Sequence, residues 1–160
     1  MNISIIIPCY NEEEVLHLTL ERLGALSVDM ASNKDCDEIE FVMVDDGSQD
    51  RTAEILTEAS KADQRVKLIR FSRNFGHQAA LLAGYEFAKG DVIVSLDADL
   101  QDPPELIKTM LDKIKDGNDV VYAARESREN DSWFKRKTAD LFYWLMKKFG
   151  ADIVPNHADF

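Results

Sequence analysis

Short β-branched apolar runs and longer stripes of helical spacing take turns along this chain. Ile3-Ser4-Ile5-Ile6-Ile7 predicts a strand covered on both faces and closed by Pro8. From Glu13 to Leu26, Val15, Leu16, Leu20 and Leu23 recur at helical spacing behind an acidic first turn, which predicts a helix. Residues 28–38 are polar and irregular and predict a surface connection. Glu40–Val44 predicts a second strand, Thr52–Ala62 a helix capped by Ser48 or Asp50, and Val66–Phe71 a third strand. Ser72–His77 reads as a loop with Asn74 and Gly76 as turn residues. Gln78–Ala88 predicts a helix whose Ala79, Ala80, Ala83 and Gly84 permit close packing, stopped by Gly90. Val92–Leu96, Glu105–Lys115 and Asp119–Ala124 then predict a strand, a helix and a fifth strand.

Strands alternating with helices at this spacing imply an α/β fold: a mainly parallel sheet with right-handed crossovers and helices on both faces. Functional loops in such a sheet gather at the C-terminal ends of the strands. Pro8–Glu12, Asp45–Ser48 and Asp97–Gln101 all fall there, as does Arg125.

The length of 160 residues suits one domain with a sizeable core. A net charge of −11 argues against nucleic acid as a partner. Cys9 and Cys36, with no zinc spacing, suggest a reducing compartment. The apolar start is too short, and lacks the basic flank, for a secretory signal. No apolar run reaches the length of about 18 residues that spans a membrane. The charge is uneven: residues 1–132 carry 14 Lys and Arg against 27 Asp and Glu, a net of −13, whereas residues 133–149 have a net of +4.

Candidate chemistry lies in the strand-end loops. Asp97 and Asp99 stand two apart where a strand ends, so on extended chain they point to one side. Two hard oxygen ligands suit Mg²⁺ or Mn²⁺, which also accept oxygens from a diphosphate, and Gln101 offers a third, neutral oxygen. Taken alone, Asp-Xaa-Asp reads equally well as loop solvation or helix-start charge. Pro8-Cys9-Tyr10-Asn11-Glu12 is either a plain strand-to-helix turn or a pocket in which Tyr10 stacks on a nucleobase and Glu12 accepts from ribose hydroxyls. Asp45-Asp46-Gly47-Ser48 is either a simple turn or a base-recognition loop, since a carboxylate accepts from the ring N–H of uracil or guanine. His77 has no second His or carboxylate nearby in sequence, which favours a structural role. Arg125 is either a surface cation or a contact for a diphosphate. The P-loop and dinucleotide fingerprints are absent, so phosphate binding would rely on a metal and basic side chains. Phe134, Leu141, Phe142, Leu145, Met146 and Phe149 recur at helical spacing, with Trp133, Tyr143 and Trp144 and with lysines at both ends. That segment reads either as a core helix or as an interfacial helix on an anionic membrane, where Arg136 could reach a phosphate.

The run Asp97-Ala98-Asp99-Leu100-Gln101-Asp102-Pro103-Pro104-Glu105 resembles the metal-binding motif of glycosyltransferase family 2, in the form carried by polyprenyl-phosphate sugar transferases. Pro8–Glu12 matches the family's opening motif, Pro-Xaa-Tyr-Asn-Glu, and the resemblance covers nearly the whole chain. It implies a Rossmann-like A-type glycosyltransferase fold and one nucleotide-sugar-binding catalytic domain over residues 1–160. It further implies inverting transfer of a hexose from a UDP- or GDP-hexose to a polyprenyl phosphate, at the cytoplasmic face of a membrane. Asp97, Asp99 and Gln101 would hold Mg²⁺ or Mn²⁺. Pro8, Tyr10, Glu12, Asp46, Asp97, Arg125 and Arg136 would bind substrate, and Asp99 and Asp159 would be catalytic. Asp159 matches the acid of an Asp-Phe-Arg run whose arginine would follow Phe160, which implies a further C-terminal part, membrane-anchored. The alternatives are a nucleotide-sugar-binding piece without turnover and a transferase to another acceptor, such as a glycan.

Overall fold

The computed structural model describes residues 1–123. Among them, β1 (Asn2–Cys9), β2 (Glu38–Asp45), β3 (Val66–Arg70) and β4 (Val92–Ser95) alternate with α1 (Leu16–Asn33), α2 (Thr52–Ala62), α3 (His77–Phe87) and α4 (Leu106–Lys115). The strands form one parallel sheet in the order β3-β2-β1-β4. The chain steps outward from β1 to β3 and then returns to the far side of β1. That reversal leaves a crevice at the C-terminal ends of β1 and β4, the usual place for a ligand in such sheets.

Alternation along each strand decides what each face covers. Ile3, Ile5 and Ile7 share a face with Phe41, Met43, Val94 and Leu96 and pack under Leu16, Leu23, Met30, Leu56, Ile107 and Leu111 of α1, α2 and α4. Ile6, Val42 and Val44 face the other way, against Ala80 of α3. Both faces are therefore covered, as the continuous apolar runs predict. Fully burying one such side chain stabilises by about 1.5–3 kcal/mol. The small residues of α3 bring it close to the sheet: a Cβ on Gly84 would stand 2.2 Å from Ile6 Cγ2.

Three elements differ from the sequence-based expectation. Pro8 does not close β1, which runs on to Cys9 and pairs there with Asp45 of β2. Proline is tolerated because β4 accompanies β1 only as far as Ile6, whose carbonyl accepts from Leu96 N–H (2.9 Å). On that side the missing N–H has no ladder to serve. Next, α1 does not stop at Leu26 but continues to Asn33, across the expected surface connection. Ser27 and Met30 extend its buried stripe, and Lys34 closes it in the left-handed conformation (φ 58°). Finally, residues 119–123 form no strand. They pass along the open edge of β4 with a groove of about 640 Å³ between, and Val120 is 75% exposed. Val92, Ile93, Val94, Met110, Leu111 and Ile114 line that groove, so β-branched composition beside an apolar edge is not by itself enough to pair them. No helix among the described residues is long and apolar enough to cross a membrane. The aromatic and basic segment 133–149 lies outside the described residues.

Candidate active site

The same alternation that builds the core also gathers the pocket. Pro8 continues the face of Ile6, Asp46 continues that of Val42 and Val44, and Asp97 continues that of Ser95, which pairs with Ile6. These three therefore turn toward the α3 side, where Asn74 and His77 stand at the start of that helix, and Tyr10 and Asp99 reach the same cavity from the bend and the turn that follow their strands. The resulting cavity, of about 280 Å³, is walled by Pro8, Tyr10, Glu12, Asp46, Asp97 and Asp99, with Asn74, His77 and Ala80 opposite. Asp45 points the other way: it is wholly buried, accepts from Ser48 N–H (3.0 Å) and lies 3.3 Å from Arg70 Nε. That second contact lacks hydrogen-bond geometry, so Oδ2 of Asp45 is held by charge alone.

Two loops are stitched to each other beside this cavity. Asn11 N–H donates to Ser48 Oγ (3.0 Å), while Asn11 Oδ1 accepts from Gln49 N–H (2.8 Å). Glu12 N–H donates to Thr52 Oγ1 (2.8 Å), Glu13 N–H to Asp50 Oδ2 (3.1 Å), and Arg51 N–H to Glu13 Oε2 (3.0 Å). Asp50 also accepts from Thr52 N–H (2.9 Å), but the N-cap position of α2 is Arg51, not the expected Ser48 or Asp50. Backbone N–H groups at two strand-to-helix turns, which no ladder would satisfy, are thus paired by side chains of the opposite turn. Asn11 can take φ 57° because Asn tolerates the left-handed region. The stitching fixes where Tyr10 and Glu12 enter the cavity.

A third loop is held by Asp46, which is 3% exposed. Its Oδ1 accepts from Phe75 N–H (2.7 Å) and its Oδ2 from Gly76 N–H (2.9 Å). Gly76 takes φ 96° just before α3, as expected of a turn residue. Gly47, at φ 69°, lies against the same loop: a Cβ there would stand 2.3 Å from the Arg73 carbonyl carbon.

The cavity is acidic. Burial pushes the Glu12 carboxyl above the ordinary glutamate range, and the charges of Asp99, Asp50 and Asp97 push it the same way. The folded chain therefore holds this proton more tightly than the unfolded chain. The penalty for ionising Glu12 is absent below about pH 4, appears as pH rises through the ordinary glutamate value, and is complete above the raised one. In chelator, Glu12→Gln should raise the melting temperature at neutral pH, and the gain should fade as pH falls toward 4. A gain equal at both ends of a pH 4–8 melting series would show that charge is not its cause. Burial likewise pushes the Cys9 thiol far up, so Cys9 is inert packing in β1.

Among the described residues, no three His, Cys, Asp or Glu side chains are arranged as a complete metal-ligand set. The donor chemistry still fits a hard divalent cation of the Mg²⁺ kind, which is bound by one or two carboxylates and takes its remaining oxygens from phosphates and water. Asp97 and Asp99 both border the cavity and raise the pKa of Glu12 through their charge, a repulsion that a cation would relieve. Gln101 does not share their face. The chain turns at Ala98 and Asp99 and Leu100 takes φ 58°, so Gln101 is exposed and outside the cavity wall, its N–H donating to Asp99 Oδ1 (3.0 Å). The fold brings together Pro8, Tyr10, Glu12, Asp46, Asp97 and Asp99. Arg125, Arg136 and Asp159 lie outside the described residues. Asn74 and His77 join the wall although nothing in their own spacing places them there; the signal was the Asn-Phe-Gly turn that starts α3 against the buried Asp46.

A curated relative, an uncharacterized glycosyltransferase of Bacillus subtilis, is 51% identical over 143 residues, 89% of this chain and 43% of its own length. A prophage bactoprenol glucosyl transferase homolog of Escherichia coli is 38% identical over 161 residues, covering 100% of this chain and 51% of its own. The chain thus spans about half the length of the curated relatives it matches. Among solved structures, a mannosyltransferase from Pyrobaculum calidifontis in complex with GDP-Man and Mn²⁺ superposes with a TM-score of 0.56 at 22% identity, over 77% of this chain and 35% of that one. This likeness shows the A-type glycosyltransferase fold that the strand order already describes. The model of glycosyl transferase family 2 matches residues 4–157, and the chain belongs to that family.

Proposed function

We propose that this chain is the nucleotide-sugar-binding part of an inverting glycosyltransferase that moves a hexose from a UDP- or GDP-hexose to a polyprenyl phosphate. The observation that carries the reading is the convergence of Tyr10, Glu12, Asp46, Asp97 and Asp99 from three strand ends on one cavity. The relative named for bactoprenol glucosyl transfer supports the acceptor class, and the neighbour holding GDP-Man with Mn²⁺ supports the donor and metal classes. A lipid acceptor implies work at a membrane surface, which the net of +4 over residues 133–149 favours.

In this reading Tyr10, 40% exposed at the mouth, stacks on the base, and Glu12 accepts from the ribose. Asp46 accepts from a ring N–H through lone pairs that Phe75 and Gly76 leave open. Asp97 and Asp99 would hold Mg²⁺ or Mn²⁺. The chemistry such an ion would supply is neutralisation of charge on the departing nucleoside diphosphate. An acceptor phosphate oxygen forms the new bond to the anomeric carbon from the opposite side, and the diphosphate leaves with the electron pair of the old one. A phosphate monoester is already mostly anionic at neutral pH. Asp159 therefore serves chiefly to orient the acceptor, and Arg125 and Arg136 are the cations assigned to the phosphates.

Ligand that binds only the native state raises its stability. UDP or GDP should therefore raise the melting temperature of the chain, and more strongly with Mn²⁺ than with chelator. Asp99→Asn, at an exposed loop position, should fold normally and lose the Mn²⁺-dependent part, weakening diphosphate binding by roughly tenfold or more. Undiminished binding by Asp99→Asn in saturating Mn²⁺ would remove the metal from the mechanism.

A further inference from the structure

We infer that Thr19, on the buried face of α1, is a positioning residue for the Asp97–Asp99 pair. The inference rests on the reading of those two acids as metal ligands. Thr19 is fully buried, and its Oγ1 lies 2.7 Å from the Ala98 carbonyl oxygen and 3.2 Å from the Val15 carbonyl oxygen of its own helix. One hydroxyl proton serves both, and the shorter distance assigns it to Ala98. A threonine that only bonded back into its helix would have no such second acceptor.

The Ala98 carbonyl belongs to the Ala98–Asp99 peptide, the second of the two that separate the acid positions. Ala98 is buried against the core at the cavity floor, and Asp97 and Asp99 on either side of it border the same cavity. Fixing that peptide plane from below fixes the direction in which Asp99 leaves the backbone relative to Asp97. The support is needed at this point because the β1–β4 ladder ends at Leu96 N–H to Ile6. Two residues beyond Ala98, Leu100 sits in the left-handed region, where a branched residue is strained. One turn further along α1, Arg22 donates to Glu105 Oε2 (2.7 Å), so the helix grips the acidic loop at both ends. Sequence periodicity gives only a faint sign of this: Thr19 is a polar residue inside the buried stripe Leu16, Leu23, Leu26 and Met30.

The test compares Thr19→Val, which keeps the shape and loses the donor, with Thr19→Ser, which keeps the donor. Mn²⁺ binding is measured by titration calorimetry on the 160-residue chain with UDP or GDP saturating, well below the melting temperature. Thr19→Val should bind Mn²⁺ roughly tenfold more weakly than the parent, and Thr19→Ser within about twofold of it. Ile55→Val, a core truncation on α2, should lower stability and leave Mn²⁺ affinity unchanged, which separates positioning from general loosening. Parental Mn²⁺ affinity in Thr19→Val, or equal weakening in Thr19→Val and Thr19→Ser, would overturn the inference. A parent that binds no Mn²⁺ in the presence of either nucleotide would instead overturn the reading of Asp97 and Asp99 as ligands, and the role of Thr19 would fall with it.

Discussion

Gly47→Ala is expected to lower unfolding stability by about 3 kcal/mol or more. Two effects add. The position has φ 69°, where any Cβ is strained, and that Cβ would stand 2.3–2.7 Å from backbone atoms of Arg73 and Asn74. Backbone cannot yield as a flexible side chain does, and overpacking in a tight site typically costs about 1–3 kcal/mol on its own. Against a total of roughly 5–15 kcal/mol for a domain, this is a large share. The displaced residues precede Phe75 and Gly76, which Asp46 anchors, so the wall carrying Asn74 and His77 should shift too. A urea titration checks the first part: the midpoint should fall with little change in slope. A midpoint within experimental error of the parent would mean that the 73–74 backbone has a free alternative path. Where the variant still folds, UDP and GDP should stabilise it less than they stabilise the parent.

Asp46→Ala should be comparably damaging, for a different reason. Its carboxylate satisfies two backbone N–H groups at the start of α3, and hydrogen bonds to a charged acceptor are worth about 1.5–3 kcal/mol each. Removing it should cost about 3 kcal/mol. Asp46→Asn should recover only part, because its amide offers one acceptor and sets two donors against the second N–H. Amide hydrogen exchange is the direct readout: Phe75 and Gly76 should exchange faster in both variants while β1 stays protected. Unchanged protection at those two amides would contradict the anchoring role. The base-recognition role separates from it by nucleotide choice. In the parent, UDP or GDP should bind roughly five- to a hundredfold more tightly than CDP or ADP, since an unpaired buried partner costs about 1–3 kcal/mol. Equal affinity for all four diphosphates would leave Asp46 as an anchor alone.

Much of this arrangement can be read from the sequence because it follows from periodicity. The β-branched runs, the helical stripes and the polar residues placed just after each run are enough to predict a parallel sheet with acidic loops at one end. Asp97, Asp99, Asp46, Tyr10 and Glu12 meet because each sits within a few residues of a strand end. What periodicity misses depends on single residues or on partners far away. The extension of α1 rests on Ser27 and Met30 among otherwise exposed positions. Residues 119–123 have strand-like composition but stand off the β4 edge across a groove instead of pairing with it. Gln101 leaves the cavity because the chain turns at Ala98 and Asp99 and Leu100 then goes left-handed. The stitching of residues 11–13 to residues 48–52 joins side chains to backbone across 37 to 40 positions, and no local pattern encodes it.

The shared face of Pro8, Asp46 and Asp97 also limits how such a chain can change length over evolution. A one-residue deletion inside β1, β2 or β4 would rotate everything beyond it by half a turn and send a pocket residue into the helical layer on the other side. A two-residue deletion would keep each side chain on its proper side and merely lower the rim. Strand lengths in a site of this construction are therefore free to drift by even steps and barred from odd ones. The connections at the opposite end of the sheet carry no such arithmetic.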